Sequence, residues 1–375
     1  MGSMKVGVIA AEMEGHSTGV GRYLEGLLGG LDGLRHGSQW HLFFQGDPHS
    51  VALADGSTVI PHFAGHHGSR VLWEQIRLPR LMARYEIDVI FGPSYSIPLY
   101  ARKPSAVTIH DLSFELLPDE FAPRERWRRR VLARRSARVA NKVFTDTKKI
   151  GRMVAERYRV PPERLAVIPL GIDGGKFSPQ PSDEDEGVLT DLGVRRPYVL
   201  WAGTLLERRL PHQILLAFNA LQNTWPNLQL VIGGSNRMRN PHRLQTWIDE
   251  LGVGEAVRQL GWVAERLLAP LYRCAELGFY VSRHEGFGIP PLECLACGTP
   301  VVVSRGLALD DRWPDYPYRC DELSEAAIEN TARKILEDRS RAAEILSDGP
   351  PIARAFDWEW CARRLVKELE GIASA

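Results

Sequence analysis

Residues 283–302 read RHEGFGIPPLECLACGTPVV. Glu285 and Glu293 stand eight positions apart in it, with Gly286, Phe287, Gly288, Pro290 and Pro291 between them. Ionised carboxylates are pure acceptors with room for several hydrogen bonds, so Glu293 can take two from a vicinal diol such as a ribose. The residues between them offer a second chemistry. Gly286 and Gly288 permit backbone conformations closed to other residues. Pro290 and Pro291 fit the first turn of a helix. Free N–H groups at such a helix start present partial positive charge to a phosphate or a sugar oxygen. Upstream, LGFYVS (277–282) predicts a buried strand. Glu285 then falls at the carboxyl end of a parallel strand, where open α/β sheets hold their ligands. Glu293 sits early in the helix, within reach of a vicinal diol. The plainer alternative is that Glu293 only complements the helix dipole and Glu285 is solvated. Gly298 reads as a C-cap, Pro300 bars continuation, and VVVS (301–304) predicts the next strand, completing a βαβ unit.

The rest of the chain supplies the frame. KVGVIAA (5–11) predicts a first strand, and STGVGRYLEGLLGGL (17–31) a Gly-rich turn leading into an amphipathic helix. HLFFQG (41–46), STVIPHF (57–63), DVIFGP (88–93), SAVTIHD (105–111) and the end of PPERLAVIPL (161–170) predict further strands. GIDGGKFSPQPSDEDEG (171–187) has no periodicity and reads as a linker. The pattern then restarts with strands in RPYVLWAGT (196–204), LQLVIGG (228–234) and AVRQLGWV (256–263), a helix over 211–224, and the site strand and helix. FDWEWCARRLVKEL (356–369) closes the chain as an amphipathic helix. Alternating strands and helices imply two parallel sheets, each covered on both faces. The expected domains are 4–177, 178–355 and a C-terminal helix, 356–375, crossing back to the first, with a ligand cleft between the halves.

Composition narrows the function. Of 375 residues, 44% are hydrophobic and 25% charged, an ordinary globular balance. No apolar run approaches the roughly 20 residues of a membrane span. Met4 opens a strand directly, so no leader is expected. Five cysteines form no disulfide framework, which fits a cytoplasmic chain. Cys294 and Cys297 have metal-pair spacing without a second pair, so packing is their expected role. Residues 1–177 carry a net +7 and the remainder −6. Much of the positive excess lies in RERWRRRVLARRSARVANK (124–142), a predicted helix with Trp127, Val131, Leu132 and Val139 as its apolar stripe. Its basic exterior reads either as a solvated face or as a contact for an anionic membrane or phosphorylated acceptor. Nucleic acid is disfavoured, because the whole chain is not basic.

The stretch HEGFGIPPLECLACGTPVV resembles the Glu-x7-Glu signature of retaining nucleotide-sugar glycosyltransferases of the GT-B fold, in particular the group containing mannosyltransferases of surface polysaccharide assembly. TGVGRY, VTIHDLSFELLPDEF (107–121), VIPLGID (167–173), AGTLLERR (202–209), GWVAERLLAPLY (261–272) and FDWEW agree in order. The resemblance implies an α/β chain of two Rossmann-like domains facing across a cleft: an acceptor domain followed by a donor domain. It implies His110, Glu285 and Arg209 as catalytic residues, with His110 facing the donor sugar and Arg208 and Arg209 holding the diphosphate. Arginine stands at 209 where the family pattern has lysine, and Leu206 and Leu210 also depart from it. Gly286, Phe287, Gly288, Ile289, Leu292 and Glu293 would line the donor, Val263 the base, and Gly19 and Gly21 the phosphates or acceptor. Trp201 and Trp262 are expected in the core. No metal or other cofactor is implied. GDP-mannose is favoured as donor, with a UDP-sugar as the alternative, and the acceptor is a saccharide or lipid-linked saccharide. The competing class is a non-catalytic sugar-nucleotide-binding or scaffold protein on the same fold.

Overall fold

The computed structural model describes residues 3–14, 19–34, 37–46, 59–65 and 68–374. Ser17 and Thr18 of the Gly-rich stretch, and Ser57 and Thr58 of STVIPHF, lie outside the described residues. The chain forms two compact units, Met1–Gly171 with Phe356–Ala375, and Ile172–Ala355.

The first unit is built on β1 (Lys5–Ile9), β2 (Gln39–Phe44), β3 (Val59–Phe63), β4 (Val89–Gly92), β5 (Ser105–Ile109), β6 (Lys142–Thr145) and β7 (Leu165–Val167). Their order is β3-β2-β1-β4-β5-β6-β7, all parallel. Among the described residues helix α1 spans Gly19–Asp32, and both Gly19 and Gly21 lie on it. It buries Tyr23, Leu24, Leu27, Leu28 and Leu31, a helical stripe. Its glycines have another use. A Cβ at Gly26 or Gly30 would overlap Trp358, and one at Gly171 would overlap the same residue. Trp358 opens the closing helix, Trp358–Ala373, whose N-cap Asp357 accepts from the Trp360 N–H at 2.7 Å. Cys361 Sγ donates to the Pro169 carbonyl at 3.0 Å, and Lys142 pairs with Glu368 at 2.8 Å. FDWEW is thus a packing motif of the first unit.

Helix α2 (Pro123–Val139) corrects an expectation. Its buried residues are Ala133, Ser136 and Ala137, whereas Trp127 is 67% and Val139 52% exposed. Small side chains let the helix approach closely, and Ser136 Oγ accepts the Ile97 N–H at 3.2 Å. A stripe of small residues is invisible to a reading that looks for large apolar ones.

The second unit holds β8 (Tyr198–Ala202), β9 (Gln229–Gly233), β10 (Val257–Gly261), β11 (Leu277–Tyr280), β12 (Val301–Ser304) and β13 (Arg319–Cys320), ordered β10-β9-β8-β11-β12-β13 and all parallel. The chain winds outward in one direction from β8 and in the other from β11, so a topological switch point lies between them. Helices α3 (Pro211–Gln222) and α4 (Ile289–Ala296) follow β8 and β11. The expected linker 171–187 is anchored at both ends: Gly171 belongs to the first unit, and Ile172 and Phe177 are buried in this one. Asp185 is buried too and accepts from Arg273 Nη2 at 2.6 Å and Nε at 2.9 Å. Its partner lies far along the chain, so a run of acids could not reveal the pairing.

Candidate active site

At the switch point of the second unit, a short 3-10 turn, Glu207–Arg209, follows β8. Leu210 then adopts a left-handed conformation, φ 55°, and starts α3. A leucine held there costs roughly 1–2 kcal/mol. The turn sends Arg208 and Arg209 towards the end of β11, where Glu285 waits. Arg209 Nε donates to Glu285 Oε1 at 2.8 Å and Nη2 reaches Oε2 at 3.4 Å. Arg208 Nε lies 3.5 Å from the same Oε1. Arg209 also donates to the Thr204 carbonyl and the Tyr280 hydroxyl, both at 2.8 Å, and its guanidinium stacks 4.9 Å from the Tyr280 ring centre.

Glu285 is buried, 7% exposed, and not solvated. Burial alone would push its carboxyl up; Arg209, then Arg208, and hydrogen bonds from Arg209 and Ser282 outweigh that and hold it at about 2. Burial likewise raises the Tyr280 hydroxyl, keeping it a neutral partner for Arg209. Sequence reasoning brought Arg208, Arg209 and Glu285 together but missed Tyr280. Its signal is position: it is the last residue of β11, beside the same crevice.

The rim around this cluster is backbone. Gly203 has φ 116°, and a Cβ there would crowd Arg209 Nη1. A Cβ on Gly234 would collide with the Gly203 carbonyl, so the ends of β8 and β9 meet with no side chain between them. Val263 stands beside Gly233. Trp201 is buried, as expected, but Trp262 is 65% exposed: it follows the end of β10, where the chain leaves the sheet. Gly288, φ 87°, starts α4 after the buried Gly286 and Phe287, and Ile289 is half-buried. Leu292 is fully buried among core residues. Glu293 is 1% exposed, and its Oε2 accepts the Tyr272 hydroxyl at 2.8 Å. Its carboxylate therefore already has a protein partner. Cys294 and Cys297 are buried, with burial pushing the Cys297 thiol up to about 12. Among the described residues, no three His, Cys, Asp or Glu side chains are grouped for a metal ion.

His110 belongs to the first unit, with Gly19 and Gly21. It is the first residue after β5, just as Pro93 follows β4 and Asp146 follows β6, so three adjacent strands deliver these groups to one edge. His110 Nε2 donates to the Pro93 carbonyl at 2.7 Å, and Nδ1 faces Asp146 Oδ2 at 2.8 Å. The Pro93 carbonyl can only accept, so Nε2 carries a proton, and Nδ1 shares a second proton with Asp146, whose own carboxyl is pushed up by burial. Burial opposes the charge, but Asp146, the Pro93 carbonyl and Asp111 raise the pKa overall. Tyr23 and Tyr95 meet the ring edge-on at 4.8 and 5.8 Å.

Two parallel sheets with this strand order place the chain in the GT-B class. A sucrose-phosphate synthase from Thermosynechococcus elongatus shares the fold at TM-score 0.79 and 18% identity, over 99% of each chain. Anabaena HepE, solved with UDP-glucose, matches at TM-score 0.75 and 18% identity, over 98% of this chain and all of that one. The chain belongs to the GT-B glycosyltransferases: residues 17–175 match the family described as Glycosyltransferase Family 4, and 190–348 that described as Glycosyl transferases group 1. O-antigen chain mannosyltransferase B of Escherichia coli is 26% identical, over 93% of this chain and 95% of its own. D-inositol 3-phosphate glycosyltransferase of Actinosynnema mirum is 30% identical, over 56% of this chain and about half, 51%, of its own length.

Proposed function

We propose that the chain is a retaining hexosyltransferase that takes mannose from GDP-mannose by preference, a UDP-sugar being the alternative donor, and places it on a saccharide or lipid-linked saccharide. The observation that carries this reading is the Arg208–Arg209–Glu285 cluster. Two guanidinium groups face one carboxylate held at about 2, so positive groups are gathered at a switch point. When the anomeric carbon–oxygen bond breaks, the electron pair stays on the diphosphate, and that charge is what the arginines stabilise without a metal. A preorganised donor of this kind is worth about 3–4 kcal/mol. Retention follows if the acceptor hydroxyl attacks from the leaving-group side and passes its proton to the departing phosphate oxygen. Glu285, ionised and tied to Arg209, is then an acceptor for sugar hydroxyls rather than a nucleophile. His110 is assigned the donor sugar, its Nε2–H shared between the Pro93 carbonyl and a sugar hydroxyl oxygen. Mannose is supported by the O-antigen relative aligned along nearly its whole length, and the UDP alternative by HepE with UDP-glucose.

The test is nucleoside diphosphate release from GDP-mannose and UDP-glucose, with EDTA present and lipid-linked saccharides as acceptors. GDP release with an α-linked product is expected. No release from any donor, or an inverted anomer, overturns the reading.

We place cytoplasmic, membrane-peripheral contact on α2, whose exposed Trp127 stands among arginines, an interfacial aromatic within a basic face. Sedimentation with phosphatidylglycerol vesicles should exceed that with neutral ones and fall with salt. Equal sedimentation removes this contact.

A further inference from the structure

The helical segment 70–84 contains a wide turn, Trp73–Arg77, in which the Leu78 N–H reaches back five residues to the Trp73 carbonyl. Such π turns are rare and concentrate at functional sites. This one carries Glu74, 3% exposed, into the interior of the first unit. Glu74 Oε2 accepts from Ser96 Oγ at 2.9 Å, and Oε1 from Gln75 Nε2 at 3.0 Å. Gln75 extends the grip: Nε2 also donates to the Ile97 carbonyl at 3.0 Å, and Oε1 accepts the Leu99 N–H at 2.9 Å.

The loop so held is not at rest. Tyr95 has φ 60°, Ser96 N bonds to the Ser94 carbonyl in a tight turn, and a Cβ on Gly92 would collide with the Ser96 carbonyl. Left-handed, non-glycine backbone persists only where its surroundings impose it. The same loop meets His110 twice, through the Pro93 carbonyl at 2.7 Å and the Tyr95 ring.

We propose that Glu74 is a positioning residue for His110: with Gln75 it clamps residues 93–99 so that Pro93 and Tyr95 hold the imidazole in place. The inference rests on the assignment of His110 to the donor sugar. The charged and titratable groups around the ring are Asp146 beyond β6, Asp111 beside it, Tyr23 from α1 and Tyr95. Around Glu74 they are Arg70 on its own segment and Arg128 on α2.

The experiment follows the His110 titration by NMR together with steady-state kinetics. In Glu74→Ala the loosened Pro93 bond should lower the His110 midpoint by about half a unit or more. Turnover should fall roughly tenfold to a hundredfold, with the donor KM within about twofold. Glu74→Gln should restore both, because its amide oxygen can serve Gln75 while its NH2 donates to Ser96. If Glu74→Ala does not fold, Ser96→Ala removes the same bond and should give the same shift. An unchanged midpoint in a folded variant overturns the clamp. A shifted midpoint with unchanged turnover upholds the clamp and removes His110 from the reaction.

Discussion

The two units each bury an ionisable cluster at the carboxyl edge of a parallel sheet, and they balance it differently. In the first, His110 and Asp146 share a proton across 2.8 Å, so the pair is neutral. In the second, the Glu285 carboxylate meets two guanidinium groups, so the trio keeps a net positive charge. The neutral pair lies over β4, β5 and β6, one strand away from the β1–β4 switch point, while the charged trio straddles the β8–β11 switch point itself. A balanced pair asks for nothing further. A carboxylate shared by two mostly buried guanidinium groups suits an incoming anion better, which supports the proposal that the diphosphate binds at the second.

Changing Arg209 should have the largest effect on activity. Arg209→Ala should lower turnover about 10²-fold or more, the scale of losing a preorganised charge-stabilising group. A loss under about threefold would mean that Arg208 alone serves the anion and that the trio's surplus charge is not used. Next comes acid stability. The Glu285 contribution is complete above its ordinary value near 4.5 and is lost as pH falls towards about 2, a difference of roughly 3 kcal/mol. His110 runs the opposite way: its folded pKa is raised, so its contribution is complete below about 6.5 and lost as pH rises through the folded value. Denaturant melts of Glu285→Gln should therefore converge on wild type at acid pH, and those of His110→Gln at alkaline pH. Convergence at the same end for both would break the comparison. The smallest effect belongs to Tyr280→Phe. It removes one acceptor from Arg209 but leaves the ring beneath it, and should cost about 1 kcal/mol in a denaturant melt. No measurable change would leave Arg209 held by Glu285 and Thr204 alone.

Buried strands with long apolar runs were legible in the sequence: KVGVIAA, DVIFGP, YVLWA and LGFY each correspond to a strand. Two were not: KVFT, β6, and Arg319–Cys320, β13. Lys142 opens β6 but also ends the basic helical run 124–142, and β13, at two residues, shows no periodicity. The candidate site divides likewise. Arg208, Arg209 and Glu285 were found because local motifs carry them. Tyr280, Tyr272 and Asp146 were not, because each matters through a partner elsewhere in the chain: Arg209, Glu293 and His110. Trp262 and Trp127 were misjudged for a related reason, since hydrophobicity states what a residue prefers and not which way the backbone turns it.

The slot for Trp358 bears on how the protein is made. A ribosome delivers residues 1–171 first, yet Gly26, Gly30 and Gly171 then enclose an empty groove, because the tryptophan that fills it lies beyond the 184 residues from Ile172 to Ala355. At ordinary elongation rates that stretch takes roughly 10–40 s to synthesise. The second unit is contiguous and needs nothing that follows it, so it can complete while the first is still open. Released chains truncated after Ala355 should accordingly show a protease-resistant second unit and a sensitive first one, and equal resistance of both would refute this order. The half of the chain that leaves the ribosome earliest is the half that closes last.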